Sequence, residues 1–182
     1  KEISTEEWNK SVNPSNPDEI VGTVAMATIN DAKFAIESAK QATQVWAAHG
    51  VEERAELLKN IASILRRRKY ELAAIIVCEA GKTWREADEE VAGAIDSCEY
   101  YASEMLRLGE IRHMNDLLGE SSEYYYEPKG VGAIITPWNF PLAIPAGMIA
   151  ASIVTGNCAV FKPASNTPVT AAHLMQVLKE AN

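Results

Sequence analysis

GVGAIITPWNFPLAIPAGMIAASIVTGNCAVFKPASNTP, residues 130–168, is the stretch on which the fold turns. Its first part, VGAIIT, is short, apolar and rich in β-branched residues, which predicts a buried strand. PLAIPAGMIAASIVTG then predicts an apolar helix, NCAVFKP a second strand, and TPVTAAHLMQVLKEAN an amphipathic helix. From Val131 to Phe161 there is no charged residue, a length that must be tested as a membrane span. Pro137, Pro141, Pro145, Gly147, Gly156 and Asn157 cut it into pieces whose backbone groups a bilayer would leave unpaired, so a buried part of an α/β core is the better reading. Strand, helix, strand, helix in that order is a parallel α/β unit. Two parallel strands need further sheet and cover on both faces, so the sequence predicts more sheet beyond Asn182 or in a partner.

Working back from this unit, the style changes. SSEYYYEPKG alternates and ends in a turn, which predicts an edge strand leading into a hairpin, with Tyr124 and Tyr126 on one face and Tyr125 on the other. Before it come three amphipathic helices. The first starts after Asn30 as N-cap, carries Phe34, Ile36, Ala39, Thr43 and Trp46, and ends near Gly50. The second runs from about Val51 to Glu79 with Leu57, Leu58, Ile61, Ile64, Leu65, Leu72, Ile75 and Ile76 on one stripe and Gly81 as its stop; the third runs from Trp84 to about Leu108 after a Thr83 cap and carries Ala87, Val91, Ile95, Cys98, Tyr101 and Met105. VNPSNPDEIVGTV, residues 12–24, reads as a turn and a short hairpin.

Composition excludes several classes of partner. The chain has 182 residues, 47% hydrophobic and 23% charged, enough to bury a core. Its net charge of −8 and pI near 5.0 repel nucleic acid and anionic membranes, so neither is expected as a partner and no membrane insertion is expected. Cys78, Cys98 and Cys158 are odd in number and follow no metal-ligand spacing, which predicts no disulfide framework, no metal site and a cytoplasmic setting. KEISTEEWNK is polar throughout and has no secretory pattern.

The chemistry-bearing residues sit where the predicted strands end. Thr136, Phe140 and Ile144 each precede proline, which favours extended backbone at all three and stiffens the path of the chain. Ligands of open α/β sheets sit at the carboxyl ends of the strands, and Asn139 falls there. Its uncharged NH₂ group donates two hydrogen bonds and suits an oxyanion hole, although an Asn at this place also serves as a backbone cap. Lys162, the one cation between Gly130 and Gln176, ends the second strand and suits a ribose hydroxyl or a phosphate, or else snorkels out of a buried strand. Neither G-x-G-x-x-G nor a P-loop pattern is present.

Residues 130–168 closely resemble the cofactor-binding core of the aldehyde dehydrogenase superfamily. NPSNPDEIVGTV and EAGKTWREADEEV fit the same family in the same order, so the resemblance covers essentially the whole chain. EYYYEPKGVGAII, AIDSCEYYASEM and PASNTP are most similar to its L-glutamate γ-semialdehyde (1-pyrroline-5-carboxylate) dehydrogenases, whether free-standing or as a module of a proline-utilisation protein. The resemblance implies the N-terminal part of that α/β fold: residues 1–119 as hairpin and helices, 120–129 as an oligomerisation strand, and 130–182 as the start of a parallel Rossmann-like βαβα core. It implies NAD as cofactor, an aldehyde substrate and a homo-oligomer in the complete protein. Asn139 becomes the oxyanion-hole amide; Ile135, Thr136, Pro137, Trp138, Lys162, Ala164 and Ser165 become cofactor-binding; Phe140 packs on the substrate.

The family's nucleophilic Cys and general-base Glu belong to later motifs, so Cys78, Cys98 and Cys158 are expected to be packing residues and the chain alone to be inactive. Two positions depart from the pattern. Ser165 stands where many NAD-specific members have Glu, which leaves NADP open, and Gly93 stands near a place where the glutamate-semialdehyde group is expected to be acidic. The competing reading is a non-catalytic cofactor-binding or protein-interaction domain.

Overall fold

The structure is a computed structural model that describes Thr5 and residues 7–181. It opens with an antiparallel hairpin, β1 (Trp8–Asn13) and β2 (Asn16–Ala25), turning at Pro14 as the turn formers require. Four helices follow: α1 (Ile29–Ala48), α2 (Val51–Arg67), α3 (Lys69–Ala80) and α4 (Trp84–Leu108). A two-residue ladder pairs β3 (Arg112–His113) with β4 (Glu123–Tyr124). The βαβα unit is β5 (Val131–Ile135), α5 (Ala143–Val154), β6 (Cys158–Lys162) and α6 (Pro168–Glu180), with β5 and β6 parallel and in register from Val131↔Cys158 to Ile135↔Lys162.

Several local expectations are corrected. The N-cap of α1 is Thr28, not Asn30, because Thr28 and Asp31 cap each other reciprocally and a lone Asn side chain offers one bond where this pair offers two. The predicted second helix is two helices broken at Arg68, whose guanidinium reaches Glu71, His173 and Gln176 and so follows α6 rather than the axis of α2. Ile144 is helical although it precedes Pro145: the proline occupies the first turn of α5, where its missing N–H costs nothing. Within 120–129 only Glu123 and Tyr124 are strand, since β3 offers a partner over two residues; Tyr124 and Tyr126 do share a face, with rings 5.3 Å apart. No residue of α1 is fully buried, and its Trp46 indole donates to the Ile153 carbonyl at 2.9 Å.

The core lies among α2, α3, α4, α5 and α6, filled by Leu58, Leu65, Leu72, Ile76, Val91, Leu142, Val154, Leu174 and Val177. Ile134 points into it, whereas Val131, Ala133 and Ile135 on the other face of β5 are exposed. The stripes predicted on α2, α3 and α4 are buried except at Leu57, Ile75 and Tyr101, which are half-buried. Among the described residues, three charged ones are buried with them: Arg54, Glu79 and Glu90. Among the described residues no helix is long and apolar enough to cross a membrane, and no group of three or more His, Cys, Asp or Glu could hold a metal ion.

Candidate active site

Parallel pairing sends the chain out of β5 and β6 at the same edge. The Thr136 N–H donates to the Lys162 carbonyl at 3.4 Å, so the loop 136–141 and the loop 163–167 leave side by side. Thr136 is buried at one end of the first loop, Pro141 and Leu142 at the other, and Pro137, Trp138, Asn139 and Phe140 are exposed between these anchors. The structure thus places Ile135, Thr136, Pro137, Trp138, Asn139, Phe140, Lys162, Ala164 and Ser165 at the carboxyl ends of β5 and β6 and on the two loops that leave them, with Asn139 and Phe140 on one hollow and Trp138 and Ser165 on another.

Two hollows flank the loop. One, of about 550 Å³, is lined by Asn139, Phe140 and Ala143 together with Lys82, Glu86, Glu89, Glu90 and Gly93 from α4 and the link before it. The other, of about 340 Å³, joins Trp138 to Ser165 and Thr167 against β1 and Glu79. A larger apolar hollow of about 610 Å³ lies between α1 and the amino end of β6 and holds none of the predicted site residues. The chemistry of the strand ends, not size, selects the first two.

Asn139 does not cap α5. The N-cap position is Leu142, and the amides of Leu142 and Ala143 donate to Glu90 Oε1 at 2.8 and 3.2 Å, so a carboxylate from α4 does that work. The Asn139 amide makes no hydrogen bond to any described residue and faces the 550 Å³ hollow. Lys162 is likewise exposed, with no described partner for its ammonium. Ser165 is exposed, and its carbonyl accepts from Asn9 Nδ2 at 2.8 Å. One face of the Phe140 ring is covered by the Lys82 ammonium, 3.8 Å from the centroid.

Gly93 faces the same hollow, and a Cβ built there would come near only the Ala143 Cβ, at 3.9 Å. The acidic side chains lining this wall are Glu86, Glu89 and Glu90. The Thr83 backbone N–H, and after it the Thr83 hydroxyl, hold the Glu86 carboxyl below the usual carboxylate range. The cysteines lie elsewhere. Cys98 is buried in α4, where loss of solvent, and secondarily Glu99, pushes its thiol up to about 12. Cys158 starts β6, four residues and roughly 13 Å of strand from its carboxyl end.

Sequence reasoning missed Lys82, Glu90, Glu79 and Asn9. A signal existed for two of them. Glu90 falls on the stripe Ala87, Val91, Ala94, and Glu79 lies one turn after Ile76; a carboxylate on a core stripe needs buried partners.

The loops that carry the unbonded Asn139 amide and follow Lys162 leave the carboxyl ends of two parallel strands, where open α/β sheets take their ligands. The chain belongs to the aldehyde dehydrogenase family, whose model matches residues 2–182. It is 48% identical over 179 residues to 1-pyrroline-5-carboxylate dehydrogenase 1 of Halalkalibacterium halodurans, covering 98% of this chain and 35% of that protein. Among solved structures, it resembles a 1-pyrroline-5-carboxylate dehydrogenase from Thermus with bound NAD (TM-score 0.96, 41% identity, 100% of this chain and 36% of that one). It also resembles proline utilization A of Bdellovibrio bacteriovorus inactivated by N-propargylglycine (TM-score 0.98, 43% identity, 100% of this chain and 19% of that one). The chain spans about 35% of the length of the curated relatives it matches.

Proposed function

We propose that this chain is the N-terminal, cofactor-binding portion of an NAD(P)-dependent aldehyde dehydrogenase that oxidises L-glutamate 5-semialdehyde to the carboxylate. The carrying observation is the Asn139 amide, unbonded on a loop held at both ends, facing a hollow at the strand ends. Held there, it donates to the aldehyde oxygen as negative charge develops, without moving at the moment of reaction. Phe140 borders the same hollow, where its free ring face packs on the aliphatic part of the substrate. Names of relatives such as the Halalkalibacterium protein support glutamate semialdehyde as the substrate.

The residues present fit a dinucleotide's ribose groups. Lys162 offers an unpartnered ammonium, Ile135, Trp138 and Ser165 are exposed, and the backbone of Thr136–Trp138 borders the crevice. NAD(P)⁺ would accept the hydride. Ser165 carries no charge to repel a 2′-phosphate, so the crevice admits NADP as well as NAD. The thiol is supplied from outside this chain, because Cys98 is buried, Cys78 lies on α3 away from the Asn139 hollow and Cys158 lies at the wrong end of its strand; the general base is expected with it, in the family's later motif. In this reading the complete protein is a cytoplasmic homo-oligomer, with the exposed Leu117, Leu118, Tyr124 and Tyr125 around β3 and β4 as contact surface.

The test is Asn139→Ala in the complete dehydrogenase. Turnover should fall about 10²- to 10³-fold while cofactor affinity is retained. A normal kcat with a lowered thermal midpoint would assign the residue to structure and defeat the reading.

A further inference from the structure

Lys82 sits between two rigid pieces of backbone. Gly81 before it closes α3 in the left-handed region at φ 68°, and Thr83 after it opens α4 with a capping box to Glu86. Its ammonium is directed inward, 2.5 Å from Glu90 Oε2 and 3.8 Å from the centre of the Phe140 ring. The Glu90 side chain is wholly buried, and its other oxygen receives the amides of Leu142 and Ala143. One carboxylate therefore grips the backbone just after the 136–141 loop, and one ammonium ties that carboxylate to the ring next to Asn139. An ammonium needed only to neutralise Glu90 has no reason to lie over an aromatic face.

We infer that Lys82 and Glu90 form a positioning pair that fixes Phe140 and Asn139 relative to α4, and so sets where the amide meets the substrate. The inference rests on the roles proposed above for Asn139 and Phe140. Glu90 acts through the backbone of Leu142 and Ala143, and Lys82 acts through the ring; neither takes part in bond making. Because the pair bridges α4 to the loop, it also fixes the width of the hollow between Phe140 and Gly93.

The experiment compares wild type, Lys82→Met and Lys82→Arg in the complete protein, with two readouts. In Lys82→Met, kcat/KM for glutamate semialdehyde should fall about tenfold or more, with the cofactor dissociation constant unchanged, as expected for a misplaced reacting group. Hydrogen exchange over residues 138–143 should rise about fivefold while that over 158–162 stays as in wild type. Lys82→Arg keeps the charge and stacks on the ring, so both values should return most of the way. If Lys82→Met fails to fold, Lys82→Met with Glu90→Gln leaves no unpaired buried charge, keeps an acceptor for Leu142 and Ala143, and should show the same loss. Unchanged exchange at 138–143, or raised exchange with kcat/KM intact, overturns the inference. If wild type turns over no aldehyde, the proposed function fails, and the exchange data still decide whether the pair holds the loop.

Discussion

Replacing Glu79 by Ala should loosen the second loop of the crevice by an amount that follows from its bonds. The carboxylate is buried and accepts from Ser11 Oγ at 2.7 Å, the Val169 amide at 2.8 Å, the Thr170 amide at 2.7 Å and the Thr170 hydroxyl at 2.6 Å. The two hydroxyls can turn to other acceptors, but the two amides open α6 and have no alternative there. At about 1–3 kcal/mol for each buried donor left unpaired, the two amides alone put the loss near 3 kcal/mol, within the range found when one partner of a buried charge is removed. Since 1.4 kcal/mol is tenfold, opening of the first turn of α6 should rise about a hundredfold. Hydrogen exchange at Val169 and Thr170 reads this directly. Glu79→Gln keeps one acceptor oxygen but turns a donor toward the other amide, so it should fall between wild type and Ala. Ser11 lies on the same strand as Asn9, which holds the Ser165 carbonyl, so weaker cofactor binding should accompany the opening. A change in exchange below about fivefold, under roughly 1 kcal/mol, would refute the claim that Glu79 holds this end of the site.

In the native protein Cys98 should resist alkylation at pH 8 and be labelled only on unfolding, as peptide mapping would show; fast labelling of Cys98 in the folded protein would contradict its burial. Its thiol is raised from 9.0 to about 12 in the fold, so unfolding releases a proton between those values and stability should fall as pH rises from about 9. In the complete dehydrogenase, Ser165→Glu should shift the kcat/KM ratio toward NAD⁺ by about tenfold or less, because the site is exposed and screened. An unchanged ratio would show that residue 165 does not face the ribose.

Much of the fold is legible because its signals are local. Turn formers at Pro14 and Ser15, the Gly81 stop and the Thr83 cap each act over a few residues, and each appears in place. The two strands and their helices follow from apolar runs cut by Pro and Gly. Errors arise where one local signal competes with another, as Asn30 does with the Thr28–Asp31 pair, or where a distant partner decides, as α6 does at Arg68. The site divides in the same way. Asn139 and Lys162 are marked by their place at strand ends. Glu79, Glu90 and Asn9 act on groups 91, 52 and 156 residues away, and only the folded chain brings those together.

The buried charges also bear on how a phosphate can be held. A helix N-terminus at the carboxyl end of a parallel strand is the usual seat of a pyrophosphate, because its free amides and dipole attract anions. Here both such seats are filled from within: Glu90 takes the amides of Leu142 and Ala143 at α5, and Glu79 takes those of Val169 and Thr170 at α6. Arg54 completes the pattern at the other end of α5, donating from Nε to the Val154 carbonyl at 2.9 Å, so each charge opposes the dipole end it meets. An incoming phosphate at either N-terminus would meet a carboxylate that already holds two amides of the first turn. The absence of G-x-G-x-x-G from the sequence is thus matched by helix starts that each carry a buried carboxylate, whose charge repels a phosphate. In the function proposed above, the Lys162 ammonium and the backbone of Thr136–Trp138 would meet the ribose groups of a dinucleotide, and these two helix starts would not be the seat of its pyrophosphate.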